Sequence, residues 1–466
     1  MFDPLGESAL LAEMSAAQRV ERAATARRVL AAGRFCQTRM AQVADDERTQ
    51  WCIDNWEAVA AEIGAELGIS RGRASAQMNY GVELLERLPR LGAVFAAGDV
   101  DFRIVSAAVF RTGLITDSDI LARIDAEISL RAVSWNTLSR NRIAELIDRW
   151  VTELDPAALR NARSAEEDRH IEFGESHQGM VEFWGSLRAA DAVLLERTLE
   201  GLADSVCTTD PRTKRQRRAD ALAALAEGPR KISCECRAPD CPAADAAPLG
   251  PFVIHLIAET ATLSGASDAP GHLPGLGAVP PAMLRELAQR ARLRPLTPSA
   301  LLRTEPRYRP SAALADFIRS RDLTCRFPGC DKRAELCDID HTVPWQLGGP
   351  THPSNLALLC RAHHLLKTFW CGEKGWAEIQ YADGTIAWTS PSGRSYTTRA
   401  GGALFFPQLA EPTGGLNLDV RQSGSVTGRT MMMPTRRRSR AEERAARIRW
   451  ERSINEARWA ADPPPF

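Results

Sequence analysis

The sequence predicts a mainly α N-terminal region followed by a small α+β C-terminal module, and three observations carry that prediction. Residues 5–230 place apolar side chains at three- and four-residue spacing, as buried helix faces require. Cysteine and histidine then crowd into 325–364 between short apolar runs. Past residue 371, aromatic and β-branched runs alternate with turn sequences, the pattern of a β-meander. A chain of 466 residues is too long for one ordinary core, so two or three domains are expected.

Taken in order, "MFDPLGESALLAEMSAAQRVERAATARRVL" reads as a charged amphipathic helix. It lacks the basic start, apolar run and small-residue cleavage site of a signal peptide. "WEAVAAEIGAELGI" and "AQMNYGVELLERLPRLGAVFAAG" read as helices, as do "SLRAADAVLLERTLEGLADSV" and "RRADALAALAEG", the last stopping at Gly228 with Pro229 behind it. The stretch from Cys234 to Pro251 is Pro/Ala-rich, and "GPFVIHLIAETATLSG" alternates enough to predict a strand. Residues 263–281, rich in Gly and Pro, predict a loop. "PAMLRELAQRAR" and "SAALADFIRSRD" restore helix. "GWAEIQ", "TIAWTS" and "RSYTT", separated by "YADG" and "PSGR", form the predicted meander. From about 408 a loop leads to a basic helix.

Composition narrows the function classes. The chain is 44% hydrophobic and 25% charged, the content of a water-soluble globular protein. Formal net charge is zero, so any surface for nucleic acid must be local. No apolar run approaches membrane-spanning length, so no membrane partner is expected. Eleven clustered cysteines, an odd number, suit reduced thiols and metal better than a disulfide frame, which points to the cytoplasm.

The chemistry concentrates between 325 and 368. "CRFPGC" places Cys325 and Cys330 around a turn, and "LLCRAHHLLKT" places Cys360 and His363 three residues apart on one helix face. Together they make a Cys3His set of two short-range pairs, the arrangement a closed structural Zn2+ site wants. The alternative is a group of unrelated buried thiols. Cys337, in "LCDID", reads as core on an entering strand. His364, next to His363, should point elsewhere, because neighbouring helix positions diverge by roughly 100°.

A second element is "DIDHTVPWQLGG", followed by Asn355 and His364. Adjacent strand residues face opposite sides, so Asp340 and His341 do separate jobs. Pro344, Gly348 and Gly349 mark a bend and loop, "LALLC" a second strand and "RAHHLLKT" a helix. This order, with zinc pinning the first strand to the helix, resembles the HNH endonucleases of the ββα-metal fold. Asp-His at 340–341, Asn355, His364, the Gly pair, "NL..LC" and the Lys-Thr after the last histidine stand in that family's order. The resemblance implies that Asp340 and His364 hold one Mg2+ or Mn2+, a hard carboxylate beside an imidazole with open positions. It implies that His341 takes a proton from the attacking water and that Asn355 fixes the catalytic loop. His363 departs from many relatives, which carry cysteine there; histidine also ligates zinc well. Taken singly, a histidine flanking a zinc knuckle can merely support it, and Asn355 can be a turn residue.

A wider resemblance covers nearly the whole chain. "RLPRLGAVFAAGDVDF", "RRADALAALAEG", "RDLTCRFPGCDKRAELCDIDHTVPW" and "ADPPPF" are similar to the actinobacterial 13E12-repeat proteins, in which a helical domain of unknown function 222 precedes an HNH module. The expected division is a helical domain at 1–232, a Pro/Gly-rich linker with a strand and helices at 233–310, the HNH module with its β-meander at 311–400, and a loop with a basic helical tail at 408–466.

Three further features invite a function. "AAEIGAELGISRGRASAQMNYGVELL" has the cadence of a helix-turn-helix, with Arg71 and Arg73 opening the second helix, although "LGIS" equally suits a turn between packed helices. The tail carries ten arginines against four acids between 429 and 459, either a solvated face or a phosphate-contacting arm. Cys234, Cys236 and Cys241 lack a clear fourth ligand for a second metal. The leading expectation is a metal-dependent DNA endonuclease. The alternatives are a non-catalytic zinc-containing DNA-binding protein and a helical interaction protein. The sequence does not reveal the oligomeric state.

Overall fold

Helix α1 (Glu7–Ala41) starts with an acid in its first turn, where negative charge suits the helix dipole, and carries Arg39 in its last turn. The computed structural model to which it belongs describes residues 6–42, 47–160, 169–177, 179–204, 212–226, 255–273, 277–289, 291–296, 303–372, 375–416 and 432–461. Six helices follow α1: α2 (Asn55–Leu67), α3 (Arg71–Glu86), α4 (Pro89–Ala96), α5 (Phe102–Arg111), α6 (Ser118–Arg131) and α7 (Arg140–Leu154). Asp54, Ser70, Asp101, Asp117 and Ser139 cap α2, α3, α5, α6 and α7, each side chain accepting from a free backbone N–H of the first turn. The apolar faces of α1 and α3 to α7 close over Phe95, Ile104, Ile124, Ile128, Ile143 and Ile147, all fully buried. Gly33 and Gly81 bring α1 and α3 into backbone contact, because a Cβ on either would overlap the other.

The helix-turn-helix cadence resolves into this body. Helix α3 buries Ala74, Met78 and Leu84, and Arg71 is ion-paired to Glu57 of α2. Arg71 is thus engaged within the helix pair, whereas Arg73 stays exposed at the start of α3.

The chain forms two compact units, one of residues 1–161 with 294–466 and one of 162–293. In the second, β1 (His170–His177) and β2 (Met180–Ser186) form an antiparallel hairpin, followed by α8 (Ala189–Asp204), α9 (Lys214–Ala226) and α10 (Thr260–Ser264). A short hairpin of β3 (Gly271–Leu273) and β4 (Gly277–Val279) then leads to α11 (Pro281–Ala288). Three expectations change here. The first hairpin interrupts the stretch read as helical; its alternating "IEFGES" and "MVEFW" around Gly179 were the available signal. The predicted loop at 263–281 contains the second hairpin. Within 255–265, the predicted strand is reduced to one bridge, Ile257 to His272, followed by α10. Cys234, Cys236 and Cys241 lie outside the described residues.

The C-terminal module begins with α12 (Ala312–Asp322), capped by Ser311. Strands β5 (Cys337–His341) and β6 (Leu356–Cys360) pair antiparallel, His341 opposite Leu356 and Cys337 opposite Cys360. Helix α13 (Arg361–Phe369) follows directly. Strands β7 (Ala377–Gln380), β8 (Ile386–Thr389) and β9 (Ser395–Thr398) make the three-stranded antiparallel meander. Asp322, wholly buried, locks α12 to β6: it pairs with Arg321 (2.8 Å) and Arg326 (2.9 Å) and accepts from the Leu358 N–H (2.9 Å). Burial works to raise its pKa, but the two guanidiniums and the N–H outweigh burial and hold it below the usual carboxylate range. Ala61 and Ala65 of α2 share one apolar cluster with Phe327, Leu359, Leu365, Trp376 and Trp388 of the module.

The basic tail forms α14 (Arg440–Ala461). Arg436 and Arg440 pair with Asp54, Arg440 also with Glu57, Arg444 with Glu83, and Arg452 with Asp155 (2.7 Å). Asn455 donates to the carbonyls of Ala157 and Leu159. These contacts fasten the tail to the helical body, so the phosphate-arm reading loses those arginines; Arg437, Arg438 and Arg449 stay exposed. Among the described residues, no helix is long and apolar enough to cross a membrane.

Candidate functional site

The knuckle is built by a turn and a helix start. The Cys330 N–H donates to the Phe327 carbonyl (3.1 Å), closing the turn that brings Cys330 back towards Cys325. Gly329 sits there at φ +74°, and a Cβ on it would come within 2.6 Å of the Ile69 carbonyl oxygen, so the turn seats directly on the α2–α3 corner. Cys360 is the residue before α13 and His363 lies in its first turn, which aims both at the knuckle. The four donor atoms lie within 4.8 Å of one another. His363 Nδ1 is 3.5 Å from Cys325 Sγ and 3.3 Å from Cys360 Sγ.

Burial pushes the Cys325 thiol up, and its neighbours add to that. The Cys330 thiol, set between Cys325 and Cys360, is pushed up to about 12. Hydrogen bonds from Cys325, Cys330 and His363 hold the Cys360 thiol well below the ordinary thiol range. Phe327 stacks flat on the His363 ring (4.0 Å between centroids, 14°) and keeps water from it. A Cys3His cluster of this compactness could hold Zn2+. Cys337 lies half-buried across the strand pair from Cys360, its thiol directed at the Lys332 and Arg333 carbonyls.

On the other side of α13 the polar groups differ. The period of two puts Asp338 and Asp340 on one face of β5, and three-residue spacing puts His364 and Lys367 on one face of α13. His364 Nε2 lies 3.3 Å from Asp340 Oδ1, and His364 Nδ1 lies 2.9 Å from Asp338 Oδ2. Burial disfavours charge on His364, but Asp340 and Asp338 outweigh it and raise its pKa. Lys367 Nζ lies 2.6 Å from the other Asp340 oxygen and 2.7 Å from Glu378 of β7, and it donates to the His341 and Thr342 carbonyls. Burial alone would lift the Asp340 pKa; Lys367 and His364 reverse that and hold the carboxylate ionised.

His341 faces away from this group. Its Nε2 lies 2.9 Å from Thr351 Oγ1, and burial lowers its pKa, keeping the imidazole neutral. Asn355, wholly inaccessible, accepts from the Val343 N–H (2.8 Å) and donates to the Val343 (3.1 Å) and Pro350 (2.9 Å) carbonyls. It ties both ends of the 343–350 loop beside His341.

The structure thus brings Cys325, Cys330, Cys360 and His363 together, joins Asp340 to His364, and sets His341 apart with Asn355 behind its loop. Sequence reasoning gave no role to Asp338, Thr351, Lys367, Glu378 or Tyr308, although Lys367 stood in the family pattern. Asp338 and Lys367 could have been found from strand and helix periodicity; Glu378 and Tyr308 carry no local signal.

Residues 16–322 match the family described as "Domain of unknown function (DUF222)", and residues 324–369 match "HNH endonuclease". Similar chains include the uncharacterized protein Rv2100 of Mycobacterium tuberculosis, 41% identical over 99% of this chain and 90% of its own. The uncharacterized protein Rv3776 of the same organism is 42% identical over 96% of this chain and 90% of its own. The uncharacterized protein in est 3′ region of M. tuberculosis is 38% identical over 67% of this chain and 95% of its own. No solved structure matches the chain.

Proposed function

This chain belongs to the family in which a domain of unknown function 222 is followed by an HNH endonuclease domain, and from that premise we propose that it is a metal-dependent DNA endonuclease that hydrolyses phosphodiester bonds. The observation that carries the reading is the separation of His341 from the Asp340–His364 pair: a neutral imidazole stands off a carboxylate–imidazole donor set. A proton acceptor and a cation seat held apart by one strand are what in-line hydrolysis of a phosphodiester needs.

The donor set fits a divalent ion. Asp340 offers an ionised oxygen and His364 a nitrogen on the same side, and Asp338 on the far His364 nitrogen fixes the ring, as carboxylates behind ligating histidines do. Mg2+ or Mn2+ held by Asp340 and His364 would polarise a phosphoryl oxygen and stabilise the leaving 3′ oxygen. His341 removes the proton of the attacking water. Asn355 holds the 343–350 loop in register with His341. Lys367 keeps Asp340 in its charged form and aimed at His364. Zn2+ held by Cys325, Cys330, Cys360 and His363 would pin the knuckle to α13 and so preserve this spacing.

We place the protein in the cytoplasm, in keeping with seven described cysteines that form no disulfide among themselves. The functional division keeps a helical domain to residue 232, a connecting region, the HNH module with its meander to 400, and the tail. The test is conversion of supercoiled plasmid to nicked or linear DNA in Mg2+ or Mn2+, abolished by a chelator. DNA binding with no cleavage under any divalent ion would replace the reading with a non-catalytic zinc-containing DNA-binding protein.

A further inference from the structure

Residues 303–310 precede α12 and lie outside the HNH match, yet they reach His341. The Arg307 carbonyl accepts the Thr351 hydroxyl at 2.6 Å, with the Tyr308 carbonyl at 3.4 Å. The Glu305 N–H donates to the Thr351 carbonyl (2.9 Å), and the Glu305 carboxylate takes the Ser311 N–H and hydroxyl, which anchors the segment to the start of α12. The Tyr308 ring lies parallel to the His341 ring, 5.2 Å between centroids at 12°, and Trp345 meets both rings edge-on. Tyr308 is 57% exposed while His341 beneath it is 4% exposed. One face of the imidazole is therefore covered by a ring that is itself largely in solvent.

We propose that Thr351 and Tyr308 are positioning residues for His341, and that they hold its ring with Nε2 protonated and Nδ1 as the atom that accepts the proton. A hydroxyl has one proton to donate. Both backbone groups near Thr351 Oγ1 are carbonyl oxygens, which can only accept, so its proton goes to them. The hydroxyl must then accept at Nε2, which fixes the hydrogen there and leaves the lone pair of the neutral ring on Nδ1. Among the described residues, Nδ1 has no hydrogen-bond partner. Tyr308 blocks rotation of the ring out of this plane. The segment before α12 thus completes a site whose other parts lie in the HNH match, and the kinetic arm below rests on the nuclease reading.

The experiment uses the full chain with zinc retained, no other divalent ion, and ring-15N-labelled histidine, at about pH 8, above the ordinary histidine range. Two-bond 1H–15N correlations, assigned to His341 by their loss in His341→Ala, should show a single tautomer protonated at Nε2. Thr351→Val should give mixed tautomers and Thr351→Ser should restore one. A parent protonated at Nδ1 overturns the proposal, and so does a Thr351→Val spectrum identical to the parent. Should Thr351→Val fail to fold, the parent spectrum still decides. In cleavage assays Thr351→Val should lower kcat roughly 10–100-fold with KM little changed, a part of the ~10²–10⁴-fold that a positioned proton-transfer group contributes. Tyr308→Leu should lower kcat in the same sense and Thr351→Ser should recover it. An unchanged kcat in Thr351→Val overturns the proposal. A parent that never cuts overturns the nuclease reading instead, while the tautomer result stands.

Discussion

His363 and His364 are neighbours in the chain and belong to different donor clusters: His363 Nδ1 lies 3.3 Å from Cys360 Sγ, and His364 Nε2 lies 3.3 Å from Asp340 Oδ1. One helix start therefore contributes to both clusters. The two substitutions should fail differently. His363→Ala should lower zinc content and stability and lose activity as a consequence. His364→Ala should keep zinc and fold while weakening Mn2+ binding, measured by calorimetry on zinc-loaded protein. A His364→Ala protein that loses zinc while His363→Ala keeps it would mean that the roles are exchanged.

Purified parent should carry about one zinc, because its four donors complete one tetrahedral sphere. Cys325→Ser or Cys360→Ser should release it and loosen the module, since metal affinity and local folding are linked. Elemental analysis checks this. Full zinc content in both variants would remove the assignment.

The tail should act as a fastener. Arg452 pairs with Asp155, which is 9% exposed, and donates to the Leu114 carbonyl. Arg452→Ala should cost about 1.5–3 kcal/mol, the range for hydrogen bonds to charged groups. Chemical denaturation of the variant would measure it. Arg437→Ala and Arg438→Ala, both on exposed side chains, should change stability by less than about 0.5 kcal/mol.

Acid should attack the module through Asp322. Its pKa is lowered in the folded chain, so its stabilising effect is fully present above the ordinary aspartate pKa of about 4 and is lost as pH falls through the lower folded value. Asp322→Asn should destabilise the module by about 3–5 kcal/mol, because Arg321 and Arg326 are left buried with their charges uncompensated. It should also flatten the decline below about pH 4. A variant with the parental acid slope would place the acid-sensitive group elsewhere.

Much of this was legible in the sequence because it rests on local periodicity. The Cys325–Cys330 turn, the i, i+3 pair of Cys360 and His363, and the strand alternation that separates Asp340 from His341 are short-range patterns, and the structure keeps each. The hairpin at 170–186 was overlooked because long helical stretches flank it, although its residues alternate. Glu378 and Tyr308 were out of reach for another reason: they arrive from eleven residues beyond Lys367 and thirty-three before His341, through tertiary packing that no local pattern encodes. The tail was misjudged by its composition. Its arginines look free until Asp54, Glu57, Glu83 and Asp155 come within reach from the helical body.

The most direct test of the catalytic reading is the single-turnover cleavage of plasmid DNA in Mn2+ by the parent, His341→Ala and His364→Ala, each first shown to hold its zinc. The parent should cleave, and both variants should lose roughly 10²-fold or more, the lower end of what a proton-transfer group contributes. His341→Ala should still bind Mn2+, whereas His364→Ala should bind it weakly. Parental cleavage rates in either zinc-loaded variant, or no cleavage by the parent with any divalent ion, would contradict the catalytic reading.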